Sequence, residues 1–426
     1  MVVVAGDEGN RNAGDQAMFL GLVSRLRTRV PNCRITSLSR HPSGVLDIEG
    51  VERYYGAYDY LLAERGPLTR RFEGLVPRFR KPILLWRGLL LVLAARLMRI
   101  GVSPFFVSKS AKSLLRLLRD SSLLISCGGG YLNTIWTFDS LCPFSIVYRA
   151  AACLGRPVVL SGQGIGPITA RMDRRVLRWG LGCANKIGLR EAGEGFAYLK
   201  SLGLPEDRLA ETGDDAAGLE ACGAADVARI LAKEMAPSDK PIITAQFRLT
   251  SHTKSYANEY QQFADLLDQI IERMGCHVLF VPIGYSPDAD DRLAAYAVTM
   301  RMRSRTSTSV VTGEYRPEVI KALVGLGKVA VGVSYHFGVF ALTQGVPFFA
   351  LYENEYYRLK FTGLYGHFGR PDWYVPFTSL DVDAEADRIC SVARDREALS
   401  RDLLSRSREM ENRVDAHYDY IAGLIR

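Results

Sequence analysis

Short apolar runs alternate with amphipathic stretches along almost the whole chain. Residues 2–5, 34–38, 123–126, 158–161, 186–189 and 209–212 are apolar and short, as strands buried on both faces are. Between them, 15–29, 140–154, 173–184 and 195–202 carry apolar residues at helical spacing. This alternation predicts βαβ units and a doubly wound parallel sheet. From 216 to 241 the chain is looser and rich in Ala, with Gly and Asp, and Pro237 and Pro241 punctuate its end. A domain boundary is expected there. The alternation then resumes, with strands at 242–247, 277–283, 309–311, 329–333 and 347–351. Helices are expected at 260–274, 288–302, 317–326 and 337–344, and a charged helical tail from about residue 384.

The pattern therefore describes two Rossmann-like halves, 1–220 and 221–426, as an α/β enzyme whose domains face across a cleft (GT-B-like). One stretch interrupts it. Residues 61–119 are too long for a simple crossover and read as a basic helical insertion in the first half. Its uninterrupted apolar part, 88–95, is eight residues, where a membrane span needs about 20.

Composition adds little until it is placed. The 426 residues are 48% hydrophobic, enough for large cores, which excludes a disordered or fibrous chain. The formal charge is +8, but 13 Lys/Arg and one acid lie between Arg65 and Arg119. That segment is +12, which leaves −4 for everything else. The charge therefore points to where the chain sits, an anionic membrane surface reached through 65–119, and no nucleic acid is expected. The eight cysteines are scattered, with no C-x-x-C pair, and the N-terminal residues lack the pattern of a signal peptide. Reduced cysteines and a cytoplasmic location, with peripheral attachment to the inner face of the plasma membrane, are the expectation.

Candidate chemistry gathers at predicted strand ends. Gly9-Asn10-Arg11-Asn12-Ala13-Gly14-Asp15 joins the first strand to the first helix. Asp15 is placed to cap that helix, and Asn12, Gly14 and the free N–H groups to hold a ligand; the other reading is an ordinary capped turn. Cys127-Gly128-Gly129-Gly130 and Ser161-Gly162-Gln163-Gly164-Ile165-Gly166-Pro167 are glycine loops at carboxyl ends of strands, where open α/β sheets bind ligands. Arg190 in Leu189-Arg190-Glu191 suits an anion, or simply pairs with Glu191. Asp214-Asp215 suits a helix cap better than a metal. Arg248, His252 and Lys254 give the first strand end of the second half a cationic character, or form a solvated turn. His336, in Ser334-Tyr335-His336, falls near a helix N-terminus, which disfavours the imidazolium and suits a general acid/base. Glu353 and Lys360 follow a buried strand within a tyrosine-rich stretch that reads as a polar ligand wall.

Gly9–Asp15, Cys127–Gly130, Ser161–Pro167, Leu189–Glu191, Gly213–Ala216 and Ser334–Pro347, followed by Glu353 and Lys360, together resemble the polysaccharide pyruvyl transferase family, nearly end to end. The resemblance implies a GT-B-like fold with the site between the domains. It implies an enzyme that moves the enolpyruvyl group of phosphoenolpyruvate onto a sugar of a cell-surface polysaccharide or its lipid-linked precursor, ending in a pyruvate ketal. It gives the acceptor to the first half and the donor to the second. On the matching positions, His336 takes the acid/base role, Arg190 binds the donor, and Lys360 is a further donor contact. The family commonly has Arg two positions before this His, where this chain has Ser334. That contact is then missing, or replaced by Arg248 or Lys254. No cofactor or metal is required, phosphoenolpyruvate being a substrate. Two alternatives are a GT-B glycosyltransferase using a nucleotide sugar and a non-catalytic membrane- or nucleic-acid-binding protein.

Overall fold

The computed structural model describes residues 1–6, 11–39, 46–55, 61, 76–234, 236–237, 239–248 and 257–425. The chain divides into two compact units. Unit 1 comprises Met1–Asn10, Leu22–Asp215 and Arg413–Arg426; unit 2 comprises Arg11–Gly21 and Ala216–Asn412.

In unit 1, β1 (Val2–Ala5), β2 (Ile35–Leu38), β3 (Val51–Tyr54), β4 (Leu123–Ser126), β5 (Gly129–Leu132), β6 (Val158–Ile165), β7 (Lys186–Leu189) and β8 (Leu209–Glu211) form one parallel sheet. Its order is β3-β2-β1-β4-β6-β7-β8, with β5 also paired to β6. The uniformly apolar runs are the strands buried on both faces, β1 and β4 wholly so. The helices are α1 (Ala13–Arg29), whose first residues, to Gly21, count with unit 2, α2 (Val76–Arg99), α3 (Lys109–Asp120), α4 (Cys142–Cys153), α5 (Arg171–Leu181) and α6 (Glu194–Ser201). The insertion is thus helical over α2 and α3, with a non-helical link at 100–108, and 62–75 lie outside the described residues. Two glycine motifs expected as loops are strand instead. Gly129 and Gly130 begin β5, and β6 runs on through Gln163 to Ile165, with a register shift after Leu160 that marks a bulge. Strand there depends on pairing with β6 and needs no apolar side chains.

In unit 2, β9 (Ile242–Gln246), β10 (His277–Phe280), β13 (Thr308–Val310), β14 (Ala330–Gly332), β15 (Phe348–Tyr352) and β16 (Tyr374–Pro376) make a second parallel sheet, ordered β13-β10-β9-β14-β15-β16. A small hairpin pairs β11 (Tyr285–Ser286) with β12 (Ala289–Asp290). The helices are α7 (Ala224–Lys233), α8 (Ala257–Met274), α9 (Asp291–Thr299), α10 (Pro317–Gly325), α11 (Tyr335–Leu342), α12 (Glu355–Phe368), α13 (Val382–Arg394) and α14 (Glu397–Ile425), whose last residues count with unit 1. The stretch read as loose, 216–241, contains α7: its alanines favour helix, and Val227 and Leu231, one turn apart, are buried. Among the described residues, no helix is long and apolar enough to cross a membrane.

The end of α14 closes unit 1. Arg25 and Arg29 of α1 bond Asp415 and Asp419, and His417 Nε2 lies 3.0 Å from the Leu160 carbonyl. Asp215 is fully buried and accepts from Ser161 Oγ at 3.0 Å. Burial raises its carboxyl to about 6, against the opposing pull of Arg25 and Ser161. Burial lowers the His417 imidazole to about 4.

The two groups impose opposite slopes. Folded Asp215 keeps its proton above the ordinary carboxyl value, so its contribution falls as pH rises from about 4 to 6. Folded His417 resists protonation, so its contribution falls as pH drops from 6.5 to about 4. Asp215→Asn is expected to leave the second slope unopposed, with stability rising by roughly 3 kcal/mol from pH 4 to 6.5. Urea unfolding across that range checks this; a profile parallel to the wild type would refute it.

Candidate functional site

Unit 2 assembles most of the predicted site. The loop before α1 docks on the carboxyl ends of its strands: Ala13 N–H donates to the Ile283 carbonyl (2.8 Å) and Tyr285 N–H to that of Arg11 (2.9 Å). Asn12 and Gly284 form a β-bridge. Arg11 adopts φ 49° and is ion-paired with Glu314. Asn12, not Asp15, caps α1: its Oδ1 accepts from Gly14 N–H at 2.9 Å and Asp15 N–H at 3.4 Å. Asp15 lies inside the first turn, where a carboxylate favours the helix dipole. Gly9 and Asn10, which open this motif, lie outside the described residues.

That turn carries His336. β14 ends at Gly332, Ser334 is the N-cap of α11, and His336 is the second residue of the helix. The imidazole lies on the bare backbone of Gly14, where a Cβ would come within 2.0 Å of Nδ1 and 2.1 Å of Cγ. Its Nε2 is 3.3 Å from Met18 Sδ, and the residue is 8% exposed. Gly14 of the Gly9–Asp15 motif and His336 of the Ser334-Tyr335-His336 motif are thus one packing unit. Sequence spacing gives no sign of this, because 322 positions separate them.

Arg248, two residues past β9, makes a two-pronged ion pair with Asp291: Nε to Oδ1 at 2.8 Å and Nη2 to Oδ2 at 3.3 Å. Burial opposes the charge of Arg248, but Asp291 outweighs it and the guanidinium pKa is raised, with smaller support from Tyr357 and Asp15. Asp291 Oδ2 also accepts from the N–H groups of Ile283 and Gly284 and from Gln246 Nε2, each at 2.9 Å. Gln246 Oε1 in turn accepts from Val333 N–H (3.3 Å), one residue before Ser334. Asp291 thus ties the ends of β9, β10 and β14 together. The sequence reading missed it, placing a helix across 288–302; an Asp-Asp pair just ahead of the apolar helical pattern was the available signal.

Glu353 follows β15 directly. The stretch after it is a helix, α12, capped by Asn354, whose Oδ1 accepts from Tyr357 N–H (3.3 Å). Lys360 lies on that helix, its Nζ 4.0 Å above the Tyr356 ring and 5.7 Å from Tyr357. His252 and Lys254 lie outside the described residues.

Unit 1 holds the rest. Gln163 Nε2 donates to the carbonyls of Gly129 (2.6 Å) and Gly164 (3.1 Å), joining the two glycine motifs. Gly128, Gly129 and Gly130 therefore present backbone at the carboxyl end of β4. Arg190 is 1% exposed. Its Nε donates to Glu191 at 2.6 Å, and Nη1 is 4.0 Å from Asp214. Gly164 admits the guanidinium, since a Cβ there would lie 3.0 Å from Nε. Arg190 pins the ends of β6, β7 and β8 against one another. Asp214 and Asp215 cap no helix; the next one, α7, starts at Ala224. His336, Arg248, Lys360, Ser334, Asn12, Gly14, Asp15 and Glu353 thus belong to unit 2, and Arg190, Gln163, Gly164 and Gly128–Gly130 to unit 1.

Residues 12–355 match the sequence model of the family described as polysaccharide pyruvyl transferase. Among solved structures, the chain is similar to a glycosyltransferase from Rickettsia africae ESF-5 (TM-score 0.58, 10% identity, 100% of this chain and 98% of that one). It is also similar to Anabaena Alr3699/HepE in complex with UDP (0.57, 9%, 99% and 98%). A third is the UDP-GlcNAc 2-epimerase from Neisseria meningitidis (0.51, 10%, 96% and 98%). At such identities the likeness shows the fold, two Rossmann-like α/β units of the GT-B type.

Proposed function

The chain belongs to the polysaccharide pyruvyl transferase family, and we propose that it transfers the enolpyruvyl group of phosphoenolpyruvate to a sugar, closing a pyruvate ketal. The acceptor would be a cell-surface polysaccharide or its lipid-linked precursor. The observation that carries the chemistry is the seat of His336: an imidazole at a helix start, fixed on Gly14 and close-packed with Met18.

The reaction needs a proton at C3 of the donor. In the proposal His336 supplies it, the double bond's electron pair forms the new C3–H bond, and C2 is left cationic. A sugar hydroxyl adds to C2 and its proton returns to the imidazole. The C2–O bond to phosphate then breaks, and a second hydroxyl closes the ketal, its proton leaving with phosphate. Phosphate and carboxylate call for cations and N–H donors. Arg248 and Lys360 are the described cations proposed for this in unit 2, and Lys254 remains a sequence candidate. Ser334 contributes a hydroxyl where the family commonly has Arg. Arg190 is proposed as a donor contact only if it exchanges Glu191 or Asp214 for the substrate's carboxylate. Asn12, Gln163, Glu353 and the glycine backbones are proposed for acceptor hydroxyls.

The test is incubation with phosphoenolpyruvate and glycan acceptors in heavy water. Phosphate release with one deuterium in the ketal methyl group is the expected result. Consumption of a nucleotide sugar with phosphoenolpyruvate untouched would overturn it in favour of a glycosyltransferase.

A further inference from the structure

Helix α2 is apolar on two opposite faces. One packs along α4, with Leu84, Leu91, Ala94 and Ala95 buried. Gly88 lets the helices approach, since a Cβ there would meet Ile146 at 2.4 Å. The other face carries Ile83, Trp86, Leu89 and Leu93, all open to solvent, Trp86 at 62% and Leu89 at 63%. At 100° per residue, Trp86, Leu89 and Leu93 share a sector of about 60°. The apolar exposure continues past the helix end with Ile100, Val102 and Phe105, the last 90% exposed. Exposed apolar residues are ordinary singly, but seven on one short segment mark an interaction surface.

The charge around them selects the partner. From Ile83 to Arg119 there are seven Lys/Arg and no acid. Arg96, Arg99, Lys109, Arg116 and Arg119 are exposed. The acid that follows, Asp120, accepts a bond from Arg119. A second copy of the chain would bring the same cations against these, which is unfavourable. Nucleic acid would leave the tryptophan and leucines without an apolar medium. A lipid bilayer with anionic headgroups satisfies both features, taking the stripe into its acyl boundary and the cations at headgroup level. We propose that the outer face of α2 and the segment after it dock the enzyme on an anionic membrane surface, lying in the interface without crossing it. This goes beyond the proposed chemistry and does not depend on which donor is used.

The experiment is flotation of the full chain with vesicles of phosphatidylcholine, alone or mixed with phosphatidylglycerol. Binding is expected only to the anionic vesicles. The triple variant Trp86→Ser/Leu89→Ser/Leu93→Ser should bind at least about tenfold more weakly, and Arg96→Glu/Arg99→Glu should lose most of the response to phosphatidylglycerol. All five side chains are exposed, so thermal melts like the wild type's are expected; should the triple variant unfold, Trp86→Ser and the charge reversal carry the test. Absence of flotation, undiminished binding by the variants, or a wild-type dimer in light scattering that the serine variant dissolves would overturn the proposal.

Discussion

Replacing His336 by alanine is expected to lower turnover by about 10²–10⁴-fold while the protein stays folded. The expectation follows from what the imidazole does and does not support. It is seated on Gly14 and Met18, which lie one turn apart on α1. Removing it takes away one buried ring packed on the bare backbone of Gly14 and on Met18. Arg248 stays protonated and is engaged with Asp291, so it does not take over delivery of the proton to the donor's C3. Steady-state turnover beside a circular-dichroism melt separates the two effects. Near-normal turnover in a folded variant would remove His336 from the mechanism. A loss confined to donor KM would make it a binding group instead.

What was legible in the sequence depended on whether a position announces itself locally. The buried strands did, because a parallel strand covered on both faces must be apolar throughout, and Val2–Ala5, Leu123–Ser126 and Lys186–Leu189 appear where expected. Gly129–Leu132 did not: a glycine strand has no apolar pattern and exists only because β6 offers it partners. Helix α12 was hidden by its polar residues, although Asn354 was a visible cap. For the site, the positions at strand ends were legible as positions, since the alternation itself locates carboxyl ends. Their engagements were legible only in part. Arg190 bonds its neighbour Glu191 at 2.6 Å, the pairing its local sequence offers, whereas Arg248 is held by a buried acid, Asp291, supplied from elsewhere in its unit. Tertiary pairing of the second kind leaves no local trace.

Gly14→Ala is expected to destabilise the protein and to lower its turnover. Helix propensity alone predicts the opposite, because alanine is favoured over glycine inside a helix by about 1 kcal/mol. The geometry of α1 decides the sign. The added Cβ would lie 2.0 Å from His336 Nδ1, 2.1 Å from Cγ and 2.4 Å from its Cβ. The last is fixed to the backbone, so rotating the imidazole does not relieve the contact, and α1 and α11 must separate. Overpacking of this kind costs roughly 1–3 kcal/mol. Displacing the proposed proton donor by about 1 Å costs a further 10²-fold in turnover. A double-mutant cycle isolates the cause. In a His336→Gly background the obstructing atoms are gone, so Gly14→Ala should become neutral or stabilising there while destabilising the parent. Urea unfolding of the four proteins measures the coupling. If Gly14→Ala costs the same in both backgrounds, or leaves the parent as stable and active as before, then the contact between the first turn of α1 and His336 is not what the glycine is for.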